Sequence, residues 1–159
     1  MTRPANMNAC TVPALFIALT LALGCGLATS QGGAKTKTEK EEVRLDTVLA
    51  EGSFEGKERI ETSGTYQIGR SGSDLKLVLG EDFQTESGPD LYVVLSPEGP
   101  GEATGENVMD GAAVRMDTLD ALEGGQTYDL QDGRDLKPFD SVAIQCIQFS
   151  HLYGAAELD

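Results

Sequence analysis

Past residue 43 the apolar side chains come in short runs, rich in β-branched and aromatic residues, and each run is cut off within a few residues by turn chemistry. That punctuation constrains the fold more than any other feature. A helix needs apolar positions recurring at a period of about 3.6, whereas a short run that stops at a turn suits a strand. The runs fall at residues 65–68, 75–79 (LKLVL), 91–95 (LYVVL), 113–116, 127–130 and 141–147 (SVAIQCI). Between them lie Ser71-Gly72-Ser73-Asp74, Ser87-Gly88-Pro89-Asp90, the stretch 97–105 (PEGPGEATG), Glu123-Gly124-Gly125-Gln126 and Gln131-Asp132-Gly133-Arg134. Each can supply a positive φ or a proline-fixed one. Only residues 118–122 (TLDAL) read as helical, for about one turn. The spacing predicts an all-β fold, a single antiparallel β-sandwich domain, over residues 47–159.

The 159 residues allow one such domain and some processed or tethering sequence. Residues 1–24 read as an export signal of the lipoprotein type: Arg3 is the one charge in the first ten residues, and residues 11–24 (TVPALFIALTLALG) are uncharged and apolar. That run is shorter than the roughly 20 residues a bilayer-spanning helix needs. Its end, Leu21-Ala22-Leu23-Gly24-Cys25, resembles a bacterial lipobox, with Ala22 where leucine is usual. The resemblance implies that Cys25 becomes the diacylated N-terminus of an exported protein, held to a lipid bilayer of the cell envelope, facing the periplasm or the cell surface. Ordinary signal cleavage near Ala28 is the alternative. Residues 25–46 follow as a flexible tether, since small, polar and charged residues cannot bury enough surface to offset ordering.

Charge and cysteine usage then narrow the chemistry. With 26 acidic against 12 basic residues and a net charge of -14, no basic surface exists for a phosphate backbone, so nucleic acid is excluded as a partner. Three cysteines and one histidine cannot build the usual four-ligand zinc site once Cys10 leaves with the signal and Cys25 is acylated, and no metal site is predicted. Cys146 is then a lone thiol in an oxidising compartment, where unpaired cysteines are unusual. It is the candidate redox residue. Val142, Ile144 and Cys146 share one strand face, read as the core face. The apolar parity then passes to Ile147, Phe149 and Tyr153, so the strand must bulge, bend or end near Cys146.

Three uses of Cys146 stay open: a small buried hydrophobe, a partly accessible thiol that cycles through sulfenic acid or a mixed disulfide or ligates a cofactor, and a disulfide, either intermolecular or, where Cys25 is not acylated, with Cys25. No lysine or arginine lies near it in sequence to hold a thiolate, so a fast nucleophile requires folding to bring in His151, Arg115 or Lys137. Covalent haem attachment is excluded by the absence of Cys-x-x-Cys-His, and no G-x-S-x-G marks a serine hydrolase. Glu98, Glu102, Glu106 and Asp110 on a Gly-rich loop have the chemistry for a hard cation but match no standard calcium loop, so a solvated loop is the reading.

Three ordered blocks carry a resemblance. Gly52-Ser53-Phe54 precedes Ser63-Gly64-Thr65-Tyr66. Residues 75–79 lead through Asp82-Phe83 to Ser87-Gly88-Pro89-Asp90-Leu91-Tyr92-Val93-Val94-Leu95-Ser96. Gly125-Gln126-Thr127-Tyr128-Asp129-Leu130 precedes residues 139–146, ending on Cys146, then Phe149 and Tyr153-Gly154-Ala155-Ala156-Glu157-Leu158. Together they resemble the DM-thirteen domain family of electron-transfer domains, across roughly residues 50–158. The resemblance implies a β-sandwich-like fold, a redox role and importance for Cys146. It departs at Gln145, where the family is often aromatic, and at His151, where it is usually apolar. The expected function is a noncatalytic, membrane-anchored redox accessory that works with a redox partner protein, its cofactor unassigned. The competing expectation is a binding or adhesion module using residues 87–91 or the acidic loop, with Cys146 structural.

Overall fold

The computed structural model describes residues 43–131 and 133–159. The expected export signal, Cys25 and all but the last residues of the expected tether lie outside the described residues. Among the described residues the fold is all-β, with eleven strands: β1 Thr47–Ser53, β2 Glu55–Gly56, β3 Thr62–Ser63, β4 Thr65–Ser71, β5 Asp74–Leu79, β6 Gln84–Thr85, β7 Leu91–Ser96, β8 Val114–Thr118, β9 Gln126–Leu130, β10 Ser141–Cys146 and β11 His151–Glu157. They form an antiparallel sheet in the order β1-β4-β5-β9, a second in the order β2-β11-β10-β7-β8, and a two-stranded ribbon β3-β6.

The sandwich follows from alternation. In β5 Leu75, Leu77 and Leu79 are buried while Asp74 is exposed and Lys76 and Val78 are half-buried, the period of two that packs one face of a sheet. The inter-sheet core joins these leucines to Val93, Leu95, Val142, Ile144 and Cys146 of the opposite sheet. Phe54 meets Tyr66 and Phe83 edge to face, with centroids 5.9 and 5.4 Å apart. β10 breaks the pattern, because all six of its residues are buried. Its outer face is covered too: Ala143 packs with Val94, Leu152 and Ala155 beneath Ala103 and Val108 from the loop after β7. A strand closed on both faces reads as a near-continuous apolar run, as residues 142–144 do.

The six strands expected from the sequence are all present, and the shared core face of Val142, Ile144 and Cys146 is as expected. Residues 118–122 are a correction. They close β8 and turn towards β9 without a helical turn, because buried Gln126 binds the turn's backbone: Oε1 accepts from Ala121 N at 3.0 Å, and Nε2 donates to the carbonyls of Ala121 and Gly124 at 2.9 and 3.3 Å. A side chain that satisfies backbone groups in this way replaces the helix's own bonds.

Candidate functional site

Cys146 is the last residue of β10, and its register partners are the first residues of the flanking strands, Leu91 of β7 and His151 of β11. The thiol thus sits at a corner of the sheet, where a loop rather than another strand must cover it. The parity switch seen in sequence is met in two places. β10 ends at Cys146, and the neighbouring strand carries the bulge: Ile144 pairs with Gly154 and Gln145 with Leu152, leaving Tyr153 as the extra residue. Leu152 therefore packs in the outer cluster and Tyr153 in the inter-sheet core beside Cys146. The carbonyl freed at the bulge accepts from Lys57 N at 3.1 Å and from Thr62 Oγ1 at 2.8 Å, so both of its acceptor positions are filled. Phe149 does not join the core as the parity reading expected. It is 60% exposed at the tip of the hairpin.

Residues 87–90 form the cover. The Cys146 sulfur is 0% exposed, and its thiol donates to the Pro89 carbonyl at 3.0 Å. Tyr153 Oη donates to the Ser87 carbonyl at 3.4 Å, a long bond. Gly88 lies between these contacts, and its identity is dictated by the tyrosine: a Cβ there would stand 2.2 Å from Tyr153 Oη and 2.7 Å from Cζ. Asp90 holds a left-handed φ of 50°, which aspartate tolerates better than most residues, and its carbonyl accepts from Ile147 N at 3.2 Å. The segment is thus a four-residue cap pinned at Ser87, Pro89 and Asp90. Burial first, then the proximity of Cys146 and Glu86, raises the Tyr153 phenol above its ordinary value.

None of the expected cations faces the sulfur. Arg115 stacks over the Tyr92 ring, 4.9 Å from its centroid, and Lys137 is exposed. The His151 imidazole is 57% exposed, with Nδ1 3.3 Å from Glu58 Oε2. A covalent, disulfide or metal bond to Sγ therefore requires the cap to move. Gln145 points away from the thiol, to the outer face, where Nε2 donates to the Gly105 carbonyl at 2.9 Å. Its Oε1 is buried with no hydrogen-bond partner. Gly105 N in turn donates to Glu58 Oε1 at 2.9 Å, and Leu152 N to Glu58 Oε2 at 3.2 Å. On the acidic loop it is Ala103 and Val108 that cover the outer face, while Glu102, Glu106 and Asp110 are exposed and Glu98 is half-buried; among the described residues no three Asp, Glu, His or Cys side chains form a metal-holding group.

Tyr153 is the site residue that sequence reasoning passed over. Its signal was the Tyr153-Gly154 pair, a glycine inside a strand pattern, which marks a bulge or a close backbone approach. These features define the class: a small all-β sandwich module that holds one capped thiol, the free cysteine of the described residues, at the end of a central strand. The chain belongs to the DM13 electron-transfer family, whose model, described as Electron transfer DM13, matches residues 53–158. Comparison with curated proteins and with solved structures gives no match.

Proposed function

We propose that this chain is an exported electron-transfer accessory, anchored to the envelope membrane through acylated Cys25, whose working group is the Cys146 thiol. The reading is supported by family membership together with one observation: the thiol ends its strand beneath a separate four-residue loop, and three hydrogen bonds close that cap, at the carbonyls of Ser87, Pro89 and Asp90. Each such bond contributes about 1 kcal/mol net, the S–H donor less, so parting the cap costs less than unfolding the domain. Local opening of the cap then exposes sulfur without unfolding the sandwich, and redox exchange with a partner protein occurs in that opened state. Between openings the thiol is shielded from the oxidising compartment.

The test is intact mass, absorbance and thiol labelling of the native protein, prepared anaerobically and again after peroxide. Reversible modification of Cys146 in the folded state, or a bound chromophore, supports the proposal. Full burial of the sulfur favours a second reading, a binding module in which Cys146 only packs the core. In that case Cys146 labels only on denaturation, and Cys146→Ser leaves partner binding intact.

A further inference from the structure

Beside the cap lies a recess of about 270 Å³, lined by Gly88, Asp90, Leu91 and residues 118–122. It shares the cap's own residues, and Leu91 is the cross-strand partner of Cys146. We propose that this recess is the docking point for a partner protein, and that it takes one lysine or arginine side chain from the partner's surface. The inference rests on the redox reading of Cys146.

Size, chemistry and rigidity carry it. Small-molecule and cofactor sites occupy roughly 300–1,000 Å³, so this recess is below that range and suits a single side chain. Its apolar part is Leu91, Leu119 and Leu122, the last 41% exposed. Its charged lining is Asp90 and Asp120, with Asp117 and Glu123 next in sequence and no lysine or arginine among the lining residues. An aliphatic stem ending in a cation matches both halves, the stem on leucine and the charge on carboxylate.

The turn that presents Leu122 is held as firmly as core. Gln126 is 1% exposed and uses both ends of its amide on that turn, its Oε1 also accepting from Tyr128 Oη at 2.7 Å. Thr85 N donates to the Leu122 carbonyl at 2.8 Å. An exposed leucine on a turn fixed by a buried polar side chain is preorganised for contact, which lowers the ordering cost of binding. A side chain seated there touches Gly88 and Asp90, and so sets the partner against the cap.

The experiment titrates the isotope-labelled full chain, purified as the cell produces it, with mitochondrial cytochrome c, a haem protein whose exposed haem edge is ringed by lysines. Amide shifts are expected at Leu91, Leu119 and Leu122. Leu122→Lys and Asp120→Asn are each expected to weaken binding about fivefold or more, while Glu55→Gln, in the separate acidic groove lined by Glu51, Glu102 and Glu157, changes it less than about twofold. Leu122 is exposed and Asp120→Asn is isosteric, so both variants keep the fold. Shifts confined to the acidic groove, equal affinity of Leu122→Lys and the unaltered protein, or no shift at all overturns the docking site. Reduction of the ferric cytochrome, two haems for each disulfide formed between the Cys146 thiols of two chains with release of two protons, reads the other premise, with Cys146→Ser as blank. Reduction that needs Cys146 but ignores Leu122→Lys sinks the recess and keeps the redox reading. Recess shifts without Cys146-dependent reduction keep the docking face and sink the redox reading.

Discussion

Gly88→Ala is expected to open the cap. In the closed state the new Cβ stands 2.2 Å from Tyr153 Oη and 2.7 Å from Cζ, on a ring that the core holds in place, so the segment and the tyrosine must part. Overpacking of this kind costs about 1–3 kcal/mol. The strain belongs to the closed state alone, so it shifts the opening equilibrium by that amount and speeds Cys146 labelling by roughly 5- to 140-fold. The assay is maleimide labelling of native protein followed by mass spectrometry at rising, sub-denaturing urea. Labelling through a local opening is nearly independent of urea, whereas labelling through global unfolding rises with it, because denaturant sensitivity scales with the surface exposed. Tyr153→Phe removes the atom at 2.2 Å. The alanine therefore accelerates labelling less in that background, by a coupling of at least about 0.5 kcal/mol. A Gly88→Ala rate equal to that of the parent, or a rate that climbs steeply with urea from zero in both proteins, refutes the capped-thiol argument.

Three further outcomes follow from other contacts. Glu58→Ala removes the acceptor of Gly105 N and Leu152 N and should cost about 2 kcal/mol, lowering the midpoint by roughly 8 °C in a circular-dichroism melt. His151→Ala, at a largely exposed imidazole, should cost under about 1 kcal/mol, and the reverse order would remove Glu58 as the pin. The Thr65 hydroxyl, then its backbone N–H, holds the Asp82 carboxyl below its ordinary 3.8, so its contribution is complete above that value and is lost as pH falls through the lower folded value. Asp82→Asn should flatten the acid limb of a stability profile, and an unchanged limb would contradict the assignment. Burial lifts the Tyr128 phenol from 10.0 to about 12, so the unfolded chain loses its proton first and stability falls as pH rises between those values. Tyr128→Phe should remove that part of the alkaline loss in urea titrations at pH 9 and 12.

Strands buried on one or both faces were legible because side-chain period and turn residues act locally, as in Leu75, Leu77 and Leu79 ahead of Gly80. β1, β2, β3 and β6 were not, because they are placed by contacts outside their own short runs: Gly56 pairs with Gly154, Thr62 is placed by the Tyr153 carbonyl, and Gly52 by the Tyr66 ring and the Glu157 carbonyl. β11 was hidden for a related reason, since its bulge puts Leu152, Tyr153, Gly154, Ala155 and Ala156 all in buried positions and erases the alternation. The candidate site divides in the same way. Val142, Ile144 and Cys146 on one face are a property of a single strand, whereas the cap and Tyr153 depend on which loop closes the sheet's corner.

Gln145 and His151, which the sequence resemblance marks as departures from the family pattern, lie on this same corner, yet neither side chain bonds to the sulfur. Gln145 binds the Gly105 carbonyl, Glu58 binds the Gly105 amide, and His151 binds Glu58. Gly105 has no room for a side chain, because a Cβ would lie 1.8 Å from the Ser150 carbonyl. These contacts lock the loop after β7 onto the hairpin that follows Cys146. An aromatic residue at 145 would fill the outer face by packing alone, while an amide ties that face to a charged residue at the cost of one buried unpaired oxygen. Gln145 and His151 thus belong to the fastening of the outer side of the corner, whereas Pro89 meets the thiol on the inner side. Substitutions at Gln145 and His151 should therefore move thermal stability and leave the urea-independent labelling rate of Cys146 within about twofold, whereas changes at Gly88 and Tyr153 should move the labelling rate.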